Sequence, residues 1–161
     1  LRTVGKAAAA ITLVCDILKG VVAILLALLI GKIAKSASTP LLVQLAGILV
    51  IIGHTFPVFF KFKGGKGVAT VGVLLTTNWQ IGLICLVFGL VLIALTRMVS
   101  LGSISAAILF PILVLFIKSN YIVEGSYFVF SIIIAVLVVF NHRENVKRLL
   151  NGTENKISFK K

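Results

Sequence analysis

The sequence predicts an all-α protein that crosses a lipid bilayer six times. Its composition is too apolar for a water-soluble globule: 60% of the 161 residues are hydrophobic and only 12% are charged, about half the charged share of an ordinary globular protein. The mean hydropathy is +1.19. The apolar residues gather in stretches close to the roughly 20 residues that a helix needs to cross a bilayer core of about 30 Å. We therefore expect one integral membrane domain, residues 1–161.

Five stretches are long enough to cross the bilayer, and short polar breaks separate them. These stretches are Ala7–Ile30, Pro40–Phe60, Ile81–Thr96, Val99–Ile117 and Tyr121–Phe140. A sixth, Gly67–Thr77, is apolar but only about half a bilayer long. It is either a short helix that starts in a polar vestibule or a re-entrant segment that lines a cavity, because bare backbone cannot face lipid. We choose the short helix, because six crossings place the charged loops consistently on one side.

The basic residues are divided unequally between the two sides of this topology. The sequence has 16 Lys and Arg but only 4 Asp and Glu. Of the 16 basic residues, twelve lie on the side of both termini, three lie on the other side and Lys19 lies within the first span. Because Lys and Arg are enriched in cytoplasmic loops, we assign the side with twelve, including the basic segment 141–161, to the cytoplasm. No basic cluster is interleaved with exposed aromatic residues that would stack on bases, so the charge indicates anionic lipid and excludes nucleic acid as the expected partner.

Two ionisable residues lie within the first predicted span. Asp16 and Lys19 are three residues apart and therefore share a helical face. Charged groups at this depth are costly, and those that occur are paired or functional. An ion pair that holds helices together and a functional site are equally supported by the sequence.

A loop rich in glycine and lysine follows the second predicted span. Gly64, Gly65 and Gly67 surround Lys66 between two predicted helices, so unobstructed backbone N–H groups, a helix N-terminus and an ammonium charge would converge there. This combination suits a phosphate. The loop is not a Walker A loop, because Phe60 stands where the first glycine is required and Gly67 stands where a hydroxyl would bind magnesium. An ordinary positive-inside turn is the alternative.

Polar side chains cluster again after the last predicted span. If the helix continues past Phe140, His142 and Asn145 share a face and Glu144 can pair with Arg148 four residues on. Their donors would then point back at the cytoplasmic vestibule. The alternative is a solvated basic helix that binds anionic lipid.

Two serines, Ser100 and Ser103, lie near the start of the fourth long stretch, Val99–Ile117. Small residues in such a position usually serve close helix packing. At the cytoplasmic end of a span, the two hydroxyls could also face a ligand.

Taken together, these blocks resemble the conserved motifs of the bacterial acyl phosphate:glycerol-3-phosphate acyltransferases, the PlsY family. The resemblance rests on GHTFPVFFKFKGGKGVAT at 53–70, SLGSI at 100–104 and HRENVKRLLNGTE at 142–154, with Leu1-Arg2 and DILKG at 16–20 in the same order. It extends over essentially the whole chain. Members of that family begin with another transmembrane helix and a Gly-Ser-Asn-rich loop, so this sequence resembles a member that lacks its first helix and most of its first motif. The family's seven-helix plan implies the six crossings counted here and one more.

The resemblance implies transfer of a fatty acyl group from acyl phosphate to the 1-hydroxyl of glycerol 3-phosphate at the cytoplasmic face of the bacterial inner membrane. The products would be lysophosphatidate and phosphate. The implied catalytic residues are Lys66, Ser103, His142 and Asn145, and the implied phosphate-binding residues are Arg2, His54, Gly64, Gly65, Lys66 and Gly67. No cofactor and no metal ion are implied. The implied partners are the two substrates, membrane lipid and the enzyme that makes acyl phosphate.

Neither histidine fits the pattern of acyltransferases that use thioesters. Those enzymes commonly show a His-x-x-x-x-Asp pair, whereas His54 reaches Phe59 at that spacing and His142 reaches Lys147. An acyl phosphate has a better leaving group than a thioester, so positioning and charge neutralisation can supply more of the barrier reduction than a protein base. Glu154 lies among cations that should keep it ionised. We therefore expect a substrate phosphate dianion to accept the hydroxyl proton.

Two other functions compete with this interpretation. A transporter or channel subunit would need polar residues along a path across the bilayer, whereas those of this chain collect at one face apart from Asp16 and Lys19. A membrane phosphatase would be distinguished by whether glycerol 3-phosphate outcompetes water for the acyl phosphate.

Overall fold

The computed structural model describes residues 5–58, 61, 64–117 and 124–157. These residues form seven helices and no strand: α1 Lys6–Ile33, α2 Thr39–Thr55, α3 Ala69–Thr77, α4 Trp79–Thr96, α5 Val99–Phe116, α6 Glu124–Asn141 and α7 Arg143–Leu150. The chain divides into two compact units, residues 1–79 and 80–161. The prediction of an all-α fold is confirmed for the described part of the chain.

Helix length and composition do not confirm the predicted six crossings. Within the described part of the chain, three helical stretches are long and apolar enough to cross a membrane, namely Ala10–Ile33, Trp79–Thr96 and Val99–Phe116. A fourth crossing is added if α6 and α7, which meet at a bend of 66°, form one broken span. Helix α2 is apolar but has 17 residues, and α3 has 9.

The second predicted span is longer than the helix that the structure contains. The prediction continues to Phe60, but α2 ends at Thr55. Pro57 explains the early end, because proline has no N–H to donate and disfavours helical backbone in the residue before it. The end of α2 therefore lies within the motif and not at the far end of an apolar stretch.

In the first unit, α1 packs against both α2 and α3. Glycines allow the close approach of α1 and α3. A Cβ at Gly20 would lie 2.5 Å from the carbonyl oxygen of Ala69, and a Cβ at Gly72 would collide with the carbonyl oxygen of Ile17. Small residues at a crossing let two helix backbones meet. This crossing brings one turn of α1 directly against the start of α3.

In the second unit, α5 packs along α6 around an aromatic cluster. The Phe110 ring meets Tyr127 edge-on at 5.8 Å between centroids, and Tyr127 stacks on Phe130 at 5.4 Å. Both distances lie in the favourable range for aromatic pairs. Helix α4 approaches α5 at another pair of glycines, because a Cβ at Gly102 would lie 2.6 Å from the carbonyl oxygen of Gly89.

Large apolar side chains cover much of the outer surface of the helices. Examples with at least half of their surface exposed are Leu13, Val22, Leu29, Leu95 and Phe116. A water-soluble protein rarely exposes so many contiguous large apolar groups. Their exposure fits helices that are surrounded by lipid.

The last long helix does not continue straight into the motif that follows it. Helix α6 ends at Asn141, His142 lies in a turn and α7 starts at Arg143. Glu144 and Arg148 both lie in α7, but the expected pair between them is wrong, because each has another partner. Glu144 lies 3.6 Å from the ammonium group of Lys147, and Arg148 pairs with a residue of the tail that follows α7.

Candidate active site

The Gly-Lys loop, residues 64–67, leads from the end of α2 to the start of α3. Gly64 N–H donates to the carbonyl of Thr55 at 3.0 Å, and Gly65 N–H donates to the carbonyl of His54 at 3.0 Å. These carbonyls belong to the last turn of α2, which leaves acceptors without helical partners. The two amides cap α2 and are not free to bind an anion, which corrects the expectation that they would hold a phosphate.

The imidazole of His54 explains why the loop contains consecutive glycines. The His54 side chain is only 3% exposed. A Cβ at Gly65 would overlap its ring, and a Cβ at Gly64 would collide with the His54 carbonyl oxygen and with Pro57. The glycines therefore allow the loop backbone to lie directly on the end of α2.

The cationic part of the loop lies at the start of α3. Gly67 has a φ of +105°, a conformation that favours glycine, and its carbonyl accepts a hydrogen bond from Thr70 N–H at 2.9 Å. The Lys66 side chain is exposed. The first turn of a helix favours anions through its N–H groups and its dipole. Lys66 and the α3 N-terminus thus remain the groups of this loop that suit a phosphate.

Asp16 of α1 contacts two basic side chains in the first unit, Lys19 of the same helix and His54 of α2. The Lys19 ammonium donates to Asp16 Oδ1 at 2.6 Å, which confirms the expected ion pair. His54 Nδ1 lies 3.4 Å from the same oxygen. Among the described residues, His54 Nε2 has no hydrogen-bond partner and is buried.

In the second unit, Glu154 organises the end of the chain. Its carboxylate accepts a hydrogen bond from Asn145 Nδ2 at 3.0 Å and another from Arg148 Nε at 3.2 Å. The Glu154 side chain is 4% exposed. The tail is also tied to the α4–α5 turn, because Ile157 N–H donates to the carbonyl of Arg97 at 2.8 Å.

The environment of Glu154 keeps its carboxyl ionised. Burial alone would raise its pKa, but the Asn145 hydrogen bond, the Ser100 hydroxyl and the Arg148 guanidinium together hold the pKa below its usual value. The expectation that Glu154 stays ionised is confirmed. Ser100 is itself buried, and its hydroxyl forms no hydrogen bond of standard geometry within the described residues. A carboxylate with a lowered pKa is a weak base, so Glu154 is unsuited to accept the substrate proton.

The side chains of His142 and Ser103 each form a hydrogen bond with a backbone carbonyl four residues earlier. His142 is buried, and its Nδ1 lies 2.8 Å from the carbonyl of Val138. A carbonyl can only accept, so Nδ1 carries the proton. Ser103 donates to the carbonyl of Val99 at 3.0 Å. His142 and Asn145 are thus both held at the start of α7, whereas the Ser103 hydroxyl is directed along α5.

The remaining predicted site residues fall in different parts of the chain. His54 and Lys66 belong to the first unit, and Ser103, His142 and Asn145 belong to the second. Arg2 lies outside the described residues.

Two contacts were not predicted from the sequence: Asp16 with His54, and Glu154 with Asn145. The small number of acidic residues in the sequence could have indicated these two contacts. The chain has only 4 acidic residues and a net charge of +12, and a buried acid needs a partner.

Comparison with known proteins gives a consistent assignment. A family model described as glycerol-3-phosphate acyltransferase matches residues 1–152. A glycerol-3-phosphate acyltransferase of Thermoanaerobacter sp. (strain X514) is 46% identical, over 99% of this chain and 76% of that protein. One of Clostridioides difficile (strain 630) is 41% identical, over 100% of this chain and 76% of that protein.

Solved structures agree with the sequence relatives. The crystal structure of PlsY (YgiH), an integral membrane glycerol 3-phosphate acyltransferase, matches in its glycerol 3-phosphate form with a TM-score of 0.81 and 30% identity, over 98% of this chain and 74% of that chain. Its lysophosphatidic acid form matches with the same TM-score and identity, over 98% of this chain and 76% of that chain. This integral membrane protein therefore belongs to the glycerol-3-phosphate acyltransferase family, as its motifs predicted.

Proposed function

We propose that this chain transfers a fatty acyl group from acyl phosphate to the 1-hydroxyl of glycerol 3-phosphate. The observation that carries the proposal is its likeness to a PlsY structure described in both a glycerol 3-phosphate form and a lysophosphatidic acid form. One form contains the acceptor substrate and the other the acylated product of the same reaction. Lys66 and the N-terminus of α3, which both suit a phosphate, support the proposal.

The reaction joins the acceptor oxygen to the acyl carbon and breaks the bond between that carbon and the phosphate oxygen. The hydroxyl proton goes to a phosphate dianion of one of the substrates, which is already beside the reacting atoms. The described acidic groups support this route. Asp16 is paired with Lys19, and Glu154 is held ionised by its partners. Neither is placed to act as a strong base.

In this proposal the cationic groups hold the substrate phosphates. Lys66 and the N-terminus of α3 neutralise one phosphate, and Arg2 adds a second positive charge. Ser103, His142 and Asn145 orient the substrates. Gly64 and Gly65 shape the pocket by letting the loop lie on His54, and Gly67 supplies the backbone conformation that starts α3.

The proposed topology has six crossings made by α1 to α6, with α7 and the rest of the basic segment 141–161 on the cytoplasmic surface. The 66° bend at His142 separates the last crossing from the surface helix. Helix α2 has 17 residues, at the lower limit for a span. The distribution of Lys and Arg supports an active site on the cytoplasmic side of the bacterial inner membrane. Both compact units would contribute to one acyltransferase domain.

Donor selection tests the function. The purified protein in lipid nanodiscs should form lysophosphatidate from labelled glycerol 3-phosphate and acyl phosphate, but not from acyl-CoA. It lacks the His-x-x-x-x-Asp pair of enzymes that use thioesters, and its site suits a small phosphate leaving group. Thin-layer separation of labelled product gives the rate. The Lys66→Ala variant is the matched control for background transfer.

Three outcomes would contradict the proposal. Robust product formation from acyl-CoA, with acyl phosphate rigorously excluded, would refute the donor assignment. Release of phosphate from acyl phosphate at the same rate with and without glycerol 3-phosphate would identify a phosphatase. A transporter or channel subunit would give product from neither donor.

A further inference from the structure

We propose that Asp16 is a positioning residue for acyl transfer: acting through His54, it fixes the Gly-Lys loop and thereby places Lys66. The kinetic part of this inference rests on the proposed function, whereas the structural part concerns the loop alone. Among the described residues, the polar contacts of Asp16 are with Lys19 and His54, so its effect on the loop passes through the imidazole.

The first step is the contact between α1 and the end of α2. Asp16 Oδ1 lies 3.4 Å from His54 Nδ1 and 2.6 Å from the Lys19 ammonium. A carboxylate beside one ring nitrogen of a histidine favours a proton on that nitrogen and fixes the orientation of the ring. Lys19 donates to the same carboxylate oxygen, so the Asp16 side chain is held between the ammonium and the ring.

The second step is the contact between the ring and the loop. The edge of the imidazole formed by Cε1 and Nε2 occupies the space that a side chain at Gly65 would need. The His54 carbonyl accepts the Gly65 N–H, and the neighbouring Thr55 carbonyl accepts the Gly64 N–H. One residue thus holds the loop with its ring and with its backbone. A ring that rotates would remove the surface on which Gly65 rests.

The third step is that α1 fixes the other end of the loop as well. Gly20, one turn after Asp16, lies against the Ala69 carbonyl at the start of α3. The same turn of α1 therefore meets the end of α2 through Asp16 and the start of α3 through Gly20. Lys66 lies in the chain between these two points. Its position relative to both helices is set by this one turn.

The consequence for substrate binding follows from the geometry of a phosphate contact. A charge-assisted contact to a phosphate needs the ammonium at hydrogen-bond distance, so a lysine that is held less firmly makes that contact less often. Losing the Asp16 charge leaves Lys66 present but loosely placed. Binding of glycerol 3-phosphate should weaken, whereas the fold, which depends on the α1–α3 crossing, should persist.

The kinetic test compares Asp16→Asn, His54→Gln and the double variant in the full chain in nanodiscs. Each single variant should raise KM for glycerol 3-phosphate about tenfold, with kcat changed less than about threefold. The double variant should be no worse than either single variant, because residues that act as one unit are not additive. The matched control is Glu144→Gln, which removes an exposed acid paired with Lys147 and should leave KM unchanged.

A second measurement follows the loop without any turnover. Hydrogen exchange of the peptide that contains Gly64 and Gly65 reports how often the loop leaves α2, because both amides donate to carbonyls of α2. Exchange of these amides should become at least about threefold faster when Asp16→Asn is introduced, because a loosened loop opens more often. Glu144→Gln should not change that rate.

The outcomes separate this inference from the proposed function. If KM effects of the two single variants multiply in the double variant, Asp16 does not act through His54. If Asp16→Asn lowers only the melting temperature and leaves KM and the exchange rate of the loop amides unchanged, its role is merely structural, and the inference is wrong. Should the unaltered protein make no lysophosphatidate, the proposed function fails, and the exchange rates alone still decide whether Asp16 holds the loop.

Discussion

Lys66 is exposed at the start of α3, where its charge adds to that of the helix N-terminus. Replacing it with Ala should bring acyl transfer close to background. Losing one charge-assisted phosphate contact removes about 2–4 kcal/mol of transition-state stabilisation, or about 30-fold to 900-fold in rate. Because the side chain is exposed, the variant should stay inserted and folded. The measurements are turnover and the melting temperature of the monodisperse protein.

An exposed lysine outside the Gly-Lys loop provides the control for this substitution. Lys32 lies in the last turn of α1 and is exposed, so Lys32→Ala should keep the unaltered rate. Unchanged turnover in a folded Lys66→Ala protein would remove Lys66 from the site.

The two histidines should be dispensable as bases. His54→Gln and His142→Gln keep a polar side chain but cannot titrate. Their turnover at saturating substrate should fall by much less than the roughly 10⁴-fold upper range for removal of a general base. His142 is already bonded through Nδ1 to Val138, and His54 packs on the loop, so both are expected to orient other groups.

Imidazole rescue distinguishes an orienting histidine from a base. Each variant is assayed with and without added imidazole across a range of pH values. If a variant loses close to 10⁴-fold in turnover and added imidazole restores its activity, that histidine is the base. Proton transfer to a substrate phosphate would then be ruled out.

At the scale of helices, the crossing of α1 and α3 depends on Gly72. A Cβ there would collide with the Ile17 backbone carbonyl, which cannot rotate away as a flexible side chain could. Gly72→Ala should therefore destabilise the protein by about 1–3 kcal/mol, the usual cost of overpacking. Thermal unfolding in detergent, followed by fluorescence, measures the change.

Gly53 is the matched control, because a Cβ there meets nothing within 4 Å and the residue lies inside α2. Gly53→Ala should be neutral or stabilising by up to about 1 kcal/mol, since alanine loses less backbone freedom than glycine in a helix. Equal destabilisation by both substitutions would show that the crossing does not need Gly72.

The helices could largely be predicted from the sequence, because apolar length alone marks them. The predicted stretches Val99–Ile117 and Ile81–Thr96 differ from α5 and α4 by at most two residues at an end. Proline chemistry could have placed the end of α2 at Thr55. The bend at His142 had no comparable signal, because the residues around it are compatible with a continuous helix.

The site was predicted as a set of residues but not as a set of contacts. Asp16 and His54 lie on different helices, and Glu154 reaches Asn145 only because the chain reverses after α7. Periodicity relates residues within one helix, so it gave the Asp16–Lys19 pair correctly and the Glu144–Arg148 pair wrongly. Contacts across a chain reversal need the packed structure.

At the scale of the whole molecule, the proposed topology makes a prediction about accessibility. In a Cys15→Ser background, a cysteine at Lys32 should react with a membrane-impermeant maleimide added to intact cells. A cysteine at Lys147 should react only after the membrane is permeabilised. Both native side chains are exposed, so access to the reagent should depend on the side of the membrane.

The opposite labelling pattern would reverse the orientation and place the candidate site outside the cytoplasm. The proposed topology has an odd number of crossings between residues 32 and 147, which puts the two positions on opposite sides. Labelling of both positions in intact cells would show that this number is wrong. Either result would leave the family membership untouched, because it rests on the sequence and fold matches.

The short α3 has a consequence for how the two substrates meet. Nine residues rise only about 13 Å along a helix, less than half of a bilayer core of about 30 Å. If α3 is one of six crossings, as proposed, the Gly-Lys loop at its start would lie below the level of the lipid headgroups. Pulling an acyl chain into water costs about 0.8 kcal/mol per methylene, or about 12 kcal/mol for a chain of about 15 methylenes. A site at this depth lets the donor react with its chain still dissolved in lipid, and only the water-soluble acceptor has to travel.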